Sequence, residues 1–445
     1  MRFTQRTALL VFASLSLLLP AASAQTSRTT IIHQPEDPSE AASRETLAKA
    51  QAAMDRKDFA GAAKICADFL QNNPDDAAVH FQLGYADTAL RKPDDAADEF
   101  RKASELDPKM GPAFLNLGLT LLNSNSSLSD KTLDEALDAL EQADELMPDQ
   151  AQVKYALALA LERSGKTADA IESLRQSVKL DPRDFAAQLE LARQLLSANQ
   201  LDDCERAFRS AINLQPKSGA AHLGLAQCLL KEKKTEEGAA ELALSLQYEP
   251  ENVDARLEHA SLLADLNKND EALAELDRAA ALRPEDPATL KLRALVEFRL
   301  KNYPAALTTL QKLEVATPAD ADVHARIGHL LLEKKDYPGA SKELAIAFRA
   351  DPSQTEVLRD LIAANYLGGN YPAALELLDL LSKRETLSNG SWFVRANCYD
   401  KIGKAQEALD AYRKFLELNA GQTNDEYFLA SARVRTLERE LKEKK

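Results

Sequence analysis

Nine prolines recur in register along this chain of 445 residues. Successive prolines are 34 residues apart, except that 40 residues separate Pro108 from Pro148. A fixed period of this length indicates one small element copied many times, each copy stacking on its neighbours to bury its apolar face. The nine are Pro74, Pro108, Pro148, Pro182, Pro216, Pro250, Pro284, Pro318 and Pro352.

Each repeat carries two sets of residues with helical spacing. With Ala77 as position 1, positions 4, 8 and 11 share one helical face and positions 20, 24 and 27 share another, because both sets follow an i, i+4, i+7 pattern. The pattern predicts two short helices joined by a turn. In this repeat the six residues are His80, Gly84, Asp87, Ala96, Phe100 and Ala103.

Positions 8 and 20 are small in almost every repeat. Small side chains let paired helices approach closely, whereas larger ones would overpack the contact. Position 8 is Ala50, Gly84, Gly118, Ala158, Ala192, Ala226, Ala260, Ala294, Gly328, Ile362 and Ala396. Position 20 is Ala62, Ala96, Ala136, Ala170, Cys204, Gly238, Ala272, Ala306, Ala340, Ala374 and Ala408.

Proline is expected at both ends of the second helix. The proline at position 32 predicts where that helix ends. Three repeats also have a Tyr-Pro pair at its start, where the missing N–H of proline is not needed. These prolines are Pro304, Pro338 and Pro372.

This pattern of small, aromatic and proline positions resembles the tetratricopeptide repeat family. The clearest copies are residues 77–110 and 389–422, and the resemblance extends over eleven repeats from Ser43 to Gln422. It implies an all-α, right-handed superhelical solenoid of helix-turn-helix repeats. It also implies a role in protein–protein interaction.

Residues 1–24 have the pattern of a secretory signal peptide. Two arginines precede an apolar run over residues 8–19, and Ala22-Ser23-Ala24 precede Gln25. The run is too short to span a membrane comfortably, and the small residues indicate a cleavage site. We expect cleavage before Gln25 and export to the periplasm, or otherwise secretion from the cell.

Three further segments lie outside the regular repeats. Residues 25–42 are polar and contain proline, which predicts a flexible leader. Six extra residues in the third repeat fall in a Ser/Asn-rich segment, residues 123–130, which predicts a loop between its helices. Residues 423–445 predict a capping helix for the open end of the stack. Its apolar face is formed by Tyr427, Ala430, Val434, Leu437 and Leu441.

The chain is acidic, with 55 Lys and Arg against 70 Asp and Glu and a net charge of −15. Nucleic acids and anionic membranes both attract positive charge. The composition therefore argues against either as the main partner and predicts no nucleic-acid binding.

The four cysteines do not indicate a disulfide framework. They lie in different repeats, and Cys204 with Cys228, on adjoining repeats, is the pair that could meet. Our preferred interpretation is that all four, including Cys66 and Cys398, are small buried residues at packing positions.

No motif predicts catalysis, a cofactor or a metal site, and we expect a protein that is not an enzyme. Residues 164–167 match the end of a phosphate-binding loop, but Ala160 stands where its first glycine is required and the preceding residues are helical in pattern. Gly165 is therefore interpreted as a turn glycine. His80, His222 and His324 each occupy position 4 of a different repeat, so they are not expected to converge on a metal.

In the family that this chain resembles, the first helix of each repeat lines a concave groove that binds peptides. The resemblance implies a groove that changes from apolar and aromatic to basic along the chain. Its predicted residues are Phe81, Tyr85, Leu115, Leu119, Tyr155, Leu159, Arg193, Lys291, Arg326, His329, Arg359 and Asn397. These side chains either complete the packing and pair with nearby carboxylates, or they bind the apolar and acidic parts of a peptide.

The sequence thus predicts a protein-interaction scaffold of the cell envelope, with protein or peptide partners of unknown identity. Assembly of an envelope complex is the role that this prediction suggests. One alternative is polysaccharide export or glycan binding. A repeat-bearing enzyme such as a glycosyltransferase is another, although the residues after Gln422 leave no room for a catalytic domain. Self-association also stays open, because the first repeat is degenerate, with Lys49 at position 7.

Overall fold

The computed structural model describes residues 38–123, 129–420 and 424–443, and within them the regular structure is entirely helical. The chain divides between Gly238 and Ala239 into two compact units, here called unit 1 and unit 2. Unit 1 contains α1 (Pro38–Asp55), α2 (Phe59–Leu70), α3 (Ala77–Ala89), α4 (Pro93–Leu106), α5 (Gly111–Asn123), α6 (Asp130–Leu146), α7 (Ala151–Arg163), α8 (Thr167–Leu180), α9 (Phe185–Ser197), α10 (Leu201–Leu214) and α11 (Gly219–Lys231).

The division falls inside α12 (Thr235–Tyr248), and the remaining helices belong to unit 2. They are α13 (Val253–Asp265), α14 (Asn269–Leu282), α15 (Pro287–Arg299), α16 (Tyr303–Ala316), α17 (Ala321–Glu333), α18 (Tyr337–Ala350), α19 (Thr355–Leu367), α20 (Tyr371–Arg384), α21 (Asn389–Lys401), α22 (Ala405–Leu418) and α23 (Asp425–Glu443).

The predicted all-α fold of helix pairs is confirmed, and so is the repeat register. From α3 to α21, every first helix begins at position 1 of its repeat and contains 13 residues. The Tyr-Pro pairs open α16, α18 and α20, as expected. Second helices end just before the position-32 proline, as α4 does before Pro108.

The flanking segments are described only in part. Helix α1 begins at Pro38, so the last residues of the segment 25–42, expected to be a flexible leader, are helical. The predicted signal peptide and the rest of that leader lie outside the described residues, as do residues 124–128 of the predicted loop and residues 421–423. The last helix, α23, buries Ala430 and Leu437 against α22 and packs Val434 and Leu441 beside them.

A left-handed residue ends the turn between the two helices of most repeats. Position 15 has a positive φ whether it is Gly165, Gly369 or Gly403, or a non-glycine residue such as Lys57 or Asn199. This confirms Gly165 as a turn glycine. The residues before it belong to α7, so the strand that a phosphate-binding loop requires is a helix here.

Positions 8, 20 and 24 form the contact between the two helices of a repeat. Every alanine predicted at position 20 is fully buried, as is Cys204. A Cβ atom added to Gly328, at position 8, would lie 2.5 Å from the Cγ atom of Leu344, at position 24. Gly118 faces Leu140 with the same spacing. The small residues are therefore required by close helix approach, as the sequence indicates.

A second recurring contact, which the sequence analysis did not identify, joins neighbouring repeats through position 4. The buried His80 bonds through Nε2 to the carbonyl oxygen of Pro74 in the preceding repeat, at 2.8 Å, and through Nδ1 to Glu99 at 2.5 Å. A carbonyl and a carboxylate oxygen both accept hydrogen bonds, so each ring nitrogen of His80 faces an acceptor.

Among the described residues of unit 2, the same contact occurs twice. Arg256 donates to the carbonyl oxygen of Pro250 at 2.6 Å and to Glu275. His324 bonds to the carbonyl oxygen of Pro318 at 3.2 Å and to Glu343 at 2.8 Å. Burial lowers the pKa of His324, but its hydrogen bonds and the charges of nearby carboxylates outweigh burial and raise the pKa above its ordinary value.

The cysteine interpretation was wrong for one pair. Cys204 on α10 and Cys228 on α11 form a disulfide, with their Cα atoms 6.4 Å apart. The close stacking of neighbouring repeats brings these two small positions together. Cys66 and Cys398 are free and buried, as expected. Burial is the main cause that raises the pKa of the Cys66 thiol to about 12 and the pKa of the Cys398 thiol to about 11. Both thiols are therefore unreactive, because the thiolate is the reactive form.

No helix in the described part of the chain combines the length and apolar character needed to cross a membrane.

Substitution by alanine should have opposite effects on stability at two glycines of unit 2, because Gly328 lies at the position-8 contact between helices and Gly390 does not. Gly328→Ala should lower the free energy of unfolding by about 1–3 kcal/mol, because the new methyl group overlaps the buried Leu344. Gly390→Ala, whose Cβ atom would meet nothing within 4 Å, should raise it by up to about 1 kcal/mol. Urea unfolding followed by circular dichroism measures both. Equal effects of the two substitutions would contradict the contact described here.

A buried histidine predicts how stability depends on pH. His259 occupies position 7, where most repeats have leucine, and its Nδ1 atom has no hydrogen-bond partner among the described residues. Burial lowers the pKa of His259; Glu275 and Glu271 oppose that shift, and Arg256 and Lys268 reinforce it. Its neutral form therefore contributes stability that is complete above about pH 6.5 and is lost as the pH falls through the lowered pKa.

His259→Leu should therefore stabilise unit 2 at neutral pH by about 1 kcal/mol, since it removes an unsatisfied polar atom. The gain should be larger at pH 5.5 than at pH 8, because only the wild-type side chain must be protonated. Urea midpoints of both proteins at the two pH values test this. A gain that is the same at both would show that His259 is not held neutral.

Candidate functional site

In unit 1 the predicted groove residues lie against the repeat core. Phe81 and Tyr85 are half-buried on α3, and the Phe81 ring lies 5.6 Å from the Phe100 ring of α4. Leu115 is buried in this core, and Leu119 and Leu159 are partly buried against it. Tyr155 packs against the core that contains the disulfide. Much of this apolar surface is thus used in packing between helices.

In unit 2 most predicted groove cations contact acidic side chains. Lys291 lies 4.0 Å from Asp322 of the next first helix. His329 pairs with Asp360 at 3.0 Å. One guanidinium nitrogen of Arg359 contacts both carboxylate oxygens of Glu385, at 2.8 and 2.9 Å. In unit 1, Arg193 similarly lies 3.6 Å from Glu190.

Asn397 is occupied within its own repeat. Its amide nitrogen donates to the Phe393 carbonyl oxygen at 2.9 Å, and its amide oxygen accepts from the Tyr412 hydroxyl at 2.9 Å. This side chain therefore joins α21 to α22, and one amide hydrogen and one oxygen lone pair are already used in these contacts.

Arg326 differs from the other predicted groove cations. It is exposed on α17 and, among the described residues, forms no ion pair. It precedes His329 by three residues, so both side chains share one face of the helix. An exposed guanidinium without a carboxylate neighbour can bind an external carboxylate without first breaking an internal pair.

An aromatic side chain that the sequence analysis did not select lies beside this face. Phe298, at position 12 of the preceding first helix, is 38% exposed, and its ring lies 6.2 Å from that of His329. Tyr303 packs against Phe298 with ring centroids 5.5 Å apart. The predicted groove residues all occupy positions 5, 6 or 9 of their repeats, so position 12 was missed. Arg326, His329 and Phe298 are here called the α15–α17 surface.

Comparison with known families agrees with the repeat architecture. Residues 6–262 match the model described as the C-terminal domain of cilia and flagella-associated protein 70. Residues 257–321 and 326–384 match one model described as tetratricopeptide repeat, and residues 390–422 match another. The chain belongs to the tetratricopeptide repeat family, and it is a protein-interaction scaffold of that family.

One characterised relative matches part of the chain. The small glutamine-rich tetratricopeptide repeat-containing protein 2 of Mycosarcoma maydis is 27% identical over 136 residues, which cover 31% of this chain. The chain spans 37% of that relative's length.

Solved structures of repeat proteins are also similar. YrrB, titled a TPR protein with an unusual peptide-binding site, is 19% identical, with 43% of this chain and 96% of that chain covered and a TM-score of 0.39. MamA from Desulfovibrio magneticus RS-1 is 21% identical over 39% of this chain and 96% of that chain, with a TM-score of 0.36. Yeast Tom70 is 14% identical over 90% of this chain and 97% of that chain, with a TM-score of 0.34.

The two halves of the predicted groove should respond differently to substitution. Phe81→Ala should lower the free energy of unfolding by about 2 kcal/mol, less than the loss for a fully buried phenylalanine, because the ring is half-buried against Phe100. Arg326→Glu should change stability by less than about 0.5 kcal/mol, because this exposed residue forms no ion pair among the described residues. Thermal melts of the two variants test this. A destabilised Arg326→Glu protein would reveal a structural role for the arginine.

Proposed function

We propose that this protein is exported and acts as a scaffold in the cell envelope, where the α15–α17 surface binds an extended, acidic peptide segment of a partner protein. The observation that carries the binding proposal is Arg326, the predicted groove cation without an ion pair among the described residues. Beside it, the exposed face of Phe298 offers a contact for an apolar side chain of the same peptide.

Two observations support export. The pattern of residues 1–24 is that of a cleaved signal peptide. The disulfide between Cys204 and Cys228 is a bond that persists in oxidising compartments and is rare in the cytosol. Together they favour the periplasm or the cell exterior over the cytosol.

Although the chain as a whole is acidic, an acidic ligand can bind where one cation is exposed and forms no ion pair among the described residues. Lys291, His329 and Arg359 already have carboxylate neighbours, so they contribute little free positive charge. An acidic segment must then be received at Arg326 in particular and not by a broadly basic surface. Binding at one such contact should be salt-sensitive, because exposed charges are screened at high ionic strength.

Export is tested in the source organism. Protein with a C-terminal tag should be recovered from the envelope or the medium, with Gln25 as its first residue and with Cys204 and Cys228 protected from alkylation until a reductant is added. Cytosolic protein that retains residues 1–24 would refute the export proposal.

Binding is tested by crosslinked capture from an envelope extract, with the chain from Gln25 to Lys445 as bait. Arg326→Glu should reduce recovery of a discrete partner by about tenfold or more, since it replaces attraction by repulsion. Lys312→Glu is the matched control, because Lys312 is an exposed cation on α16, the second helix of its repeat. It should leave recovery within about twofold of the wild type.

Other outcomes of the capture would overturn the proposed surface. Equal losses with both variants would indicate a general charge effect. Recovery unchanged by Arg326→Glu would place binding elsewhere on the scaffold. Recovery of carbohydrate without protein would favour glycan binding instead.

A further inference from the structure

Three ionisable side chains from three consecutive helices of unit 2 converge away from the α15–α17 surface. They are Glu314 on α16, His324 on α17 and Glu343 on α18, and one candidate ligand atom from each lies within 4.8 Å of the other two. His324 is 3% exposed and Glu343 is 8% exposed, whereas Glu314 is partly exposed. A buried imidazole therefore faces two carboxylates in a small volume.

The hydrogen bonds of His324 leave one ring nitrogen directed at the carboxylate. Nε2 donates to the carbonyl oxygen of Pro318 at 3.2 Å, and this fixes the orientation of the ring. Nδ1 lies 2.8 Å from Oε2 of Glu343. A carboxylate oxygen and an unprotonated ring nitrogen both present lone pairs and repel each other. A proton or a metal ion must therefore lie between Nδ1 of His324 and Oε2 of Glu343.

The orientation of His324 is the one that metal-binding histidines commonly adopt. In such sites the ring nitrogen that does not bind the metal donates to a backbone carbonyl or a carboxylate, which holds the ring in place. Pro318 supplies this carbonyl. The contact to Pro318 thus orients the ring for a ligand at Nδ1.

A second repeat provides an internal comparison. His80 has the same two contacts, to the Pro74 carbonyl and to Glu99, but no third candidate ligand lies beside them among the described residues. The residue equivalent to Glu314, at position 28 of the preceding repeat, is Leu70 there. Glu314 is therefore not required for the histidine–glutamate contact itself.

Another repeat shows that position 28 reaches position 4 of the next repeat. Asp144 occupies position 28, and Lys154 occupies position 4 of the following repeat. Their side chains form an ion pair at 2.7 Å. Where position 4 is histidine and position 28 is glutamate, the same geometry provides a nitrogen and an oxygen ligand.

We propose that Glu314, His324 and Glu343 form a binding site for Zn²⁺, with Nδ1 of His324 and one oxygen of each carboxylate as ligands. One imidazole and two carboxylates are a ligand set that suits zinc and leaves a fourth position for water. In a tetrahedral site, zinc bonds of about 2.0–2.2 Å place the ligand atoms roughly 3.3–3.6 Å apart, so a shift of up to about 1.5 Å in the partly exposed Glu314 completes the site. Mg²⁺ fits poorly, because it prefers six oxygen ligands and keeps much of its water.

Lys342 is the charged group that faces this site from the same helix as Glu343. Its Nζ atom lies 3.6 Å from Oε1 of Glu343, the oxygen that does not contact His324. The Lys342 side chain is 77% exposed and can move into solvent when the metal binds. Bound zinc would link α16, α17 and α18, and so would join two neighbouring repeats of unit 2.

The test is a calorimetric titration of ZnCl₂ into chelator-treated protein, residues 25–445. Wild-type protein should bind one ion per chain. Glu314→Leu, which reproduces the residue found beside His80, should weaken binding by at least about tenfold, and Glu314→Gln should do the same with less change of shape. Zinc should also raise the thermal midpoint of the wild type but not of these two variants.

Matched controls separate this site from other histidines. Glu99→Gln changes the two-ligand contact of His80 and should leave zinc affinity unchanged. His329→Ala removes the exposed histidine beside Asp360 and should also leave it unchanged. MgCl₂ at the same concentration should give no shift of the thermal midpoint.

Three results would overturn the site. The first is wild-type protein that binds no zinc. The second is zinc affinity that both Glu314 variants retain. The third is affinity lost in His329→Ala, which would place the ion at the surface. Circular dichroism of each variant establishes that it is folded.

Discussion

A pair of short helices buries little apolar surface by itself, so each repeat depends on how closely its two helices approach. The glycines and alanines at positions 8 and 20 set that distance, and Leu344 or Phe100 at position 24 fills the space that they leave. Stacking then places the next repeat against this pair. The disulfide and the position-4 contacts all follow from this spacing.

The fold was predictable from the sequence because it is encoded locally and repeatedly. The prolines and small residues set the register, and every first helix from α3 onward begins at the predicted position. The position-4 contacts were not predicted, because they join residues that are far apart in sequence and depend on the direction of side chains. His80 and Glu99 are 19 residues apart, and one hydrogen-bond partner is a main-chain oxygen that no sequence pattern records.

The candidate binding surface was predictable only as a set of positions. Position counting selected Arg326 and Arg359 equally, yet one has no ion pair among the described residues and the other contacts Glu385 and Glu356. Which cation is free depends on acidic residues of neighbouring helices, and their reach is a three-dimensional property. The bond between Asn397 and Tyr412 joins two helices and is likewise not visible in position counting, and Phe298 was missed because position 12 was not among the positions chosen.

The contact from position 4 to the preceding repeat uses a main-chain oxygen, and this has a consequence for how such a chain can evolve. The carbonyl of the position-32 proline does not depend on the other side chains of the repeat that supplies it. A gene segment encoding one repeat can therefore be duplicated or exchanged without loss of this contact to its new neighbour. The meeting of Glu314 with His324 is different, because it requires two particular side chains from adjacent repeats and is lost when either repeat is moved.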